Sequence, residues 1–199
     1  MNNFLKAGGI LMYPLILNSI FAFAIILERF FYYKKINDFK DINFIRFKSF
    51  LLAKNYDEAL LFLKTFKSPI LKISETLIKE KRISNPDLDM VAELEIMKVL
   101  TDIYKFLPIL KVLPNISTML GLLGTVLGMI KNFAVVAQVG TGDPKALASG
   151  ISEALITTAT GLFIAIPIVL FFTILENRAN SIEDKIQVYT KEILKLLKD

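Results

Sequence analysis

Three long stretches of the chain carry no charged side chain: residues 7–27, 112–130 and 154–175. Each approaches the roughly 20 residues that an α-helix needs to cross a hydrocarbon core of about 30 Å. One buried helix of a soluble domain can be equally apolar. Three such runs in 199 residues point to a membrane instead. The pattern predicts transmembrane helices at 8–33, 108–138 and 145–175, after a short N-terminal stub of residues 1–7. Between the first two runs, apolar and charged positions interleave at helical spacing, so residues 34–107 are expected to form a helical bundle. Asp57–Lys67 and Ile70–Arg82 read as a helix pair broken at Ser68-Pro69. Asn85-Pro86 reads as the start of a further helix, with Asn as N-cap and Pro in the first helical position. That helix is expected to run through Val91, Leu94, Met97 and Leu100 to Leu107. Residues 139–144 form a loop in which Asp143 can cap the third span and Pro144 can open it. The third span is expected to kink at Pro167 and to continue as one helix into residues 176–199. There Ile182, Ile186, Tyr189, Ile193 and Leu196 or Leu197 make an apolar stripe at 3.6-residue spacing, suited to packing on the bundle. The fold class is an all-α membrane protein with three transmembrane helices.

Charge gives the orientation. Of the 24 basic residues, 15 lie in residues 34–111 and five in 176–199, whereas only Lys6 precedes the first span and only Lys131 and Lys145 separate the second from the third. Lys and Arg collect on the cytoplasmic side. The N-terminus and the 139–144 loop are therefore expected outside, and residues 34–107 and 176–199 in the cytoplasm. Aromatic residues Phe30, Phe31, Tyr32 and Tyr33 beside Lys34 and Lys35 mark a membrane–water interface. This placement accounts for the pI of about 9.3 without nucleic acid as a partner. The N-terminal run is longer than a signal-peptide core and lacks a small-residue cleavage site, so it reads as a retained span. The chain has no Cys and no His. Disulfides, thiolate nucleophiles and imidazole bases are thereby excluded, and no metal or other cofactor is expected. An intramembrane hydrolase would want paired carboxylates or a nucleophile with its base, which the spans do not supply. No enzymatic activity is expected.

One carboxylate stands out. Glu153 heads the apolar run Ala154–Leu175, and an ionisable side chain in a membrane segment is by default a functional site. Ser149, Glu153, Thr157 and Thr160 recur at spacings of four, four and three, which places them on one helical face, flanked by Ser152 and Thr158. Such a face belongs against protein or a wet cavity rather than lipid. The plainer alternative is that Glu153 only packs against a neighbouring hydroxyl, and Thr157 and Thr160 alone would serve packing. In the second span Gly121, Gly124, Thr125 and Gly128 share a face, and small residues at this spacing let helix backbones approach closely. A single three-span subunit cannot enclose a pore, so a polar stripe of this kind favours a ring of copies.

The blocks LGLLGTVLGMIKNF (Leu120–Phe133) and GISEALITTATGLFIAIP (Gly150–Pro167) resemble the signature of the MotA/TolQ/ExbB proton-channel proteins. Tyr13-Pro14, Glu28-Arg29 and Leu107-Pro108 add to the likeness. It is similar to the three-span ExbB and TolQ branch rather than the four-span MotA branch. The resemblance implies a pentameric ring in the bacterial inner membrane, with spans two and three lining its pore. It further implies a one-span ExbD/TolR-like partner that inserts there with an essential Asp, and a TonB/TolA-like protein on which proton flow does work. Residue by residue, it assigns Glu153 as the pore glutamate, Thr158 as the third-span threonine and Thr125 as the second-span threonine. The implied role is TonB-dependent import driven by the proton motive force. The alternative is a TolQ-like role in envelope integrity and division. Two positions depart from the family pattern, Thr118 where relatives carry Pro and Lys111 where they carry a small residue. Both lie at the entry to span two.

Overall fold

A computed structural model describes residues 8–83, 87–139 and 144–198. Among them the regular structure is entirely helical. The helices are α1 (Met12–Ile36), α2 (Asp41–Leu52), α3 (Tyr56–Leu63), α4 (Ile70–Arg82), α5 (Leu88–Ile103), α6 (Leu107–Val139) and α7 (Pro144–Lys198). Three helical stretches, within Met12–Ile36, Leu88–Ala137 and Ala148–Lys198, are long and apolar enough to cross a membrane. Only 22–33% of each most apolar window is buried inside the chain. Phe163, Met119, Phe133 and Ile166 are among the large apolar side chains left exposed. Surface of that kind calls for lipid or further protein against it.

The chain divides into two compact units. The first comprises residues 1–27 and 106–174 and contains the apolar segments of α1, α6 and α7. Met12 and Leu15 of α1 and Leu110 and Leu113 of α6 are buried there. The Asn18 amide donates to the Leu113 carbonyl at 3.0 Å and to the Ser117 hydroxyl at 2.6 Å. This polar bond crosses from α1 to the turn of α6 that contains Pro114, where the proline removes a backbone donor. Pro167 lies inside the unbroken α7.

The second unit comprises residues 28–105 and 175–199. Its core is aliphatic and aromatic: Ile70, Ile73, Leu77 and Ile78 of α4, Phe44 and Phe47 of α2, and Val99 and Ile103 of α5. From α7, Ile186, Tyr189, Ile193 and Leu197 are buried, so Leu197 rather than Leu196 completes the stripe. The Phe44 and Tyr189 rings stack at 3.9 Å with 12° between their planes. Among the described residues Arg29 is the most deeply buried cation, 2% exposed. It pairs with Glu28, lies 4.4 Å over the Tyr32 ring and donates to the Asp102 carbonyl at 2.8 Å. The Tyr33 hydroxyl donates to the Ile103 carbonyl at 2.8 Å. The last carbonyls of α5 are thus satisfied by a cation and a hydroxyl, which a helix C-terminus favours.

Three expectations from the sequence are corrected here. Helix α5 starts at Leu88 with Asp87 as N-cap, whose carboxylate accepts from the Met90 amide at 3.1 Å. Asn85 and Pro86 lie outside the described residues. The same helix ends at Ile103 rather than Leu107. Phe106 takes a left-handed φ of 67°, and α6 begins one residue later. The Arg29 and Tyr33 bonds to α5's terminal carbonyls stabilise that break, and no Gly announces it. Residues 41–52, given no element of their own, form α2, and the helix placed over Asp57–Lys67 ends at Leu63. The 140–143 part of the expected loop, with Asp143, and the N-terminal stub also lie outside the described residues.

Replacing Arg29 with Met is expected to lower the stability of the full chain by about 2–4 kcal/mol, because buried carbonyls and Glu28 lose their donor. Thermal unfolding in detergent measures it. A second expectation concerns Asp41. The Tyr189 hydroxyl and the Lys185 ammonium hold its carboxyl below the ordinary value of 3.8, so ionisation is easier folded than unfolded. The stabilisation is complete above about pH 4 and is lost as pH falls through the lowered value. Tyr189→Phe should therefore flatten the acid-side fall of the unfolding midpoint.

Candidate functional site

Helices α6 and α7 meet along a seam of small residues. On α6 the buried face runs Ser117, Gly121, Gly124, Gly128 and Asn132; on α7 it runs Gly150, Ala154, Thr157, Gly161 and Ala165. The spacing of three and four residues keeps each set on one face. A Cβ added at Gly124 would lie 2.5 Å from the Thr157 Cβ, and one at Gly128 would lie 2.7 Å from the Ala154 Cβ. A Cβ at Gly161 would come 2.6 Å from the Ser117 carbonyl oxygen, and one at Gly121 would come 3.1 Å from the Thr158 Cα. The backbones therefore touch, as small-residue packing permits in a membrane. Gly121, Gly124 and Gly128, expected from the sequence to pack, all lie on this seam.

The hydroxyls named from the sequence are distributed around the seam. Thr157 is 2% exposed, packs on Gly124 and donates to the Ala154 carbonyl at 2.8 Å. Thr158 donates across the helix pair to the Gly121 carbonyl at 2.8 Å. Thr160 donates to the Ile156 carbonyl of its own helix at 2.7 Å, and Thr125 to Leu122 of its own helix at 2.7 Å. Ser149 is exposed. The Ser149–Glu153–Thr157–Thr160 face is thus not one continuous wet stripe. Each of these threonines spends its proton on a carbonyl.

Glu153 sits at one end of the seam. Its carboxylate accepts from the Lys131 ammonium at 2.8 Å, with the Glu side chain 26% and the Lys side chain 65% exposed. Its other face abuts Gly9, where an added Cβ would fall 2.1 Å from Oε1. Gly9 also has a left-handed φ of 68°, so glycine is demanded there twice. Glu153 and Thr157 line a cavity of about 440 Å³, together with Gly124, Gly128 and Lys131 from α6 and residues 8–11 just before α1. Of the five pathway candidates these two share the cavity, and Thr125, Thr158 and Thr160 do not line it.

Lys131 and Gly9 were not singled out by the sequence. Lys131 is the only charged residue in the Leu120–Phe133 block, which is the signal that could have marked it as the partner of the only acid in Gly150–Pro167. Nothing local marked Gly9, 144 positions away from Glu153 in the chain. Among the described residues no group of three or more His, Cys, Asp or Glu could hold a metal ion.

A helical membrane chain with a carboxylate lodged beside a cavity between two of its membrane helices has the makings of an ion-translocating subunit. The chain belongs to the MotA/TolQ/ExbB proton channel family, whose model matches residues 59–188. It is 27% identical over 187 residues to an ExbB homolog of Methanothermobacter thermautotrophicus, named as a biopolymer transport protein. That match covers 94% of this chain and 66% of the relative. It is 37% identical over 90 residues to the Tol-Pal system protein TolQ of Haemophilus influenzae, covering 45% of this chain and 40% of the relative. Over 64 residues it is 50% identical to the biopolymer transport protein exbB1 of Vibrio cholerae, covering 32% and 28%. The chain thus spans about two thirds or less of the length of these relatives. It is a multi-pass membrane protein of the ExbB/TolQ type.

The seam supplies its own test. Gly161→Ala should lower the stability of the chain by about 1–3 kcal/mol, because its Cβ meets backbone that cannot give. Gly121→Ala, with its looser contact, should cost less. Unfolding midpoints in the same detergent rank the two.

Proposed function

We propose that this protein is a proton-channel subunit of an ExbB–ExbD–TonB-type complex, which uses the proton motive force to drive TonB-dependent import across the outer membrane. The observation that carries the reading is Glu153, an acid on a membrane helix, lining a cavity and paired with a cation rather than sealed in a core. A carboxylate in an apolar layer keeps its charge only while a partner or water supports it. When a proton arrives at Glu153, the pair with Lys131 loses its attraction and the largely exposed ammonium turns to water. When the proton leaves, the pair re-forms. Thr157 and the glycine seam hold the carboxylate's helix against α6 while this happens. In the pathway the family likeness implies, Thr158 follows Glu153 on α7 and Thr125 is the threonine of the second span, while Thr157 and Thr160 add hydroxyls on the helical face of Glu153.

One chain has a single acid in this layer, so the path is completed by other polypeptides. The assembly proposed is a homo-pentamer in the inner membrane, with the N-terminus periplasmic and the C-terminus cytoplasmic. An ExbD/TolR-like one-span protein supplies the second acid, and a TonB/TolA-like protein receives the work. Abundant exposed apolar side chains on α6 and α7 suit contact with copies, partner helices and membrane lipid. A TolQ-like role in the Tol-Pal system is the second reading, favoured by the 37% identity to TolQ. Complementation of strains lacking one or the other protein separates the two.

Glu153→Gln keeps shape and removes the exchangeable proton. It is expected to co-purify with its partners in normal yield and to reduce proton-driven work to background. Full activity of the Gln variant would mean that Glu153 only packs.

A further inference from the structure

Several ammonium groups of the second unit hold a carboxylate. Lys48 pairs with Glu192, Lys79 with Glu75, Lys98 with Glu95, Lys185 with Asp41 and Lys198 with Asp89. Lys35, Lys67 and Lys72 have no ion-pair partner among the described residues, and all three border one cavity of about 280 Å³. Leaving three cations together unneutralised costs repulsion, so their convergence asks for an anion.

The cavity's construction narrows the anion. Its floor is apolar, made by Ile36 of α1, Leu71 of α4 and Val99 of α5. Ser68 lies on the rim where the 13-residue α4 begins, and no side chain caps that N-terminus. A helix N-terminus and ammonium groups together suit a phosphate. One carboxylate, Asp102, also borders the cavity. The Asp38 carboxylate accepts from the Lys67 backbone amide at 2.7 Å; three ammonium groups against these two carboxylates still leave the site net positive, and Asp102 can accept from a headgroup hydroxyl. Tyr32 and Lys35 belong to the last turns of α1, where the aromatic run Phe30–Tyr33 marks the membrane interface. The opening therefore lies at headgroup depth on the helix that crosses the bilayer.

We propose that this cavity binds the phosphate headgroup of an anionic phospholipid, with the phosphate held by Lys35, Lys67 and Lys72 at the start of α4 and the glycerol backbone on the apolar floor. A basic pocket beside a membrane helix recognises lipid in this way. The inference requires only that α1 crosses a membrane and stands apart from any proton role of Glu153.

Native mass spectrometry of the full chain in mild detergent tests it, with short-chain phosphatidylglycerol, phosphatidylcholine and inorganic phosphate as probes. The wild type should retain phosphatidylglycerol in preference to phosphatidylcholine. The triple variant Lys35→Gln/Lys67→Gln/Lys72→Gln should weaken that binding on the order of 10- to 100-fold, while Lys40→Gln/Lys54→Gln/Lys64→Gln, which removes equal charge elsewhere in the unit, should leave it within about twofold. Should the triple variant misfold by circular dichroism, Lys72→Gln alone should still weaken binding several-fold. Equal losses in both triple variants, no preference over phosphatidylcholine, or full competition by inorganic phosphate would each overturn the proposal. The last would make it a site for free phosphate.

Discussion

In lipid, two helices gain little by burying apolar side chains against each other, because the acyl chains are equally apolar. Helices α6 and α7 are instead held by backbone contact, made possible by Gly121, Gly124 and Gly128 on one side and Ala154, Thr157 and Gly161 on the other. The Thr158 hydroxyl adds a bond to the Gly121 carbonyl. This seam fixes the rotation of α7. Once Thr157 is turned onto Gly124, Glu153 one turn earlier is carried to the edge of the interface. There Lys131 of α6 and Gly9 before α1 can reach it. A bulkier residue in the seam would move the carboxylate as well as weaken the pair.

The arrangement around Glu153 resolves an energetic conflict. An isolated carboxylate in an apolar layer would be costly, and a fully buried ion pair would be inert because neither charge could be released. Here the carboxylate is about a quarter exposed and its partner about two thirds exposed. The charge is supported without being sealed. A cavity of about 440 Å³ beside it leaves room for water or for a side chain from another polypeptide. That combination separates the site from an ordinary structural ion pair such as Arg29–Glu28, whose guanidinium is committed to carbonyls and aromatic faces.

Much of this was legible in the sequence, because it rests on periodicity. Uncharged runs of membrane-crossing length, the small-residue face of α6 and the apolar stripe of the tail each follow from helical spacing alone. The Glu153 position was conspicuous by its chemistry. What escaped was set by tertiary contact. A 140° offset between Glu153 and Thr158 on a straight helix gave no way to tell which threonine faces which neighbour. The answer came from Gly124 and Gly121 on another helix. The ion pair joins positions 22 apart through a connecting segment with no periodic signal. The break at Phe106 depends on Arg29 and Tyr33, more than 70 residues earlier in the chain. The cap at Asp87 competed with an equally plausible Asn85, and both are good N-cap residues.

The central claim is that Glu153 exchanges protons in the working complex. Infrared difference spectroscopy on the reconstituted complex, with acidification of the compartment facing the α6–α7 connection, reads this directly. The account predicts a protonated-carboxyl stretch that grows on acidification, reverses on neutralisation and is missing in Glu153→Gln. An identical carboxyl signal in wild type and Glu153→Gln would contradict it and leave Glu153 as a packing residue.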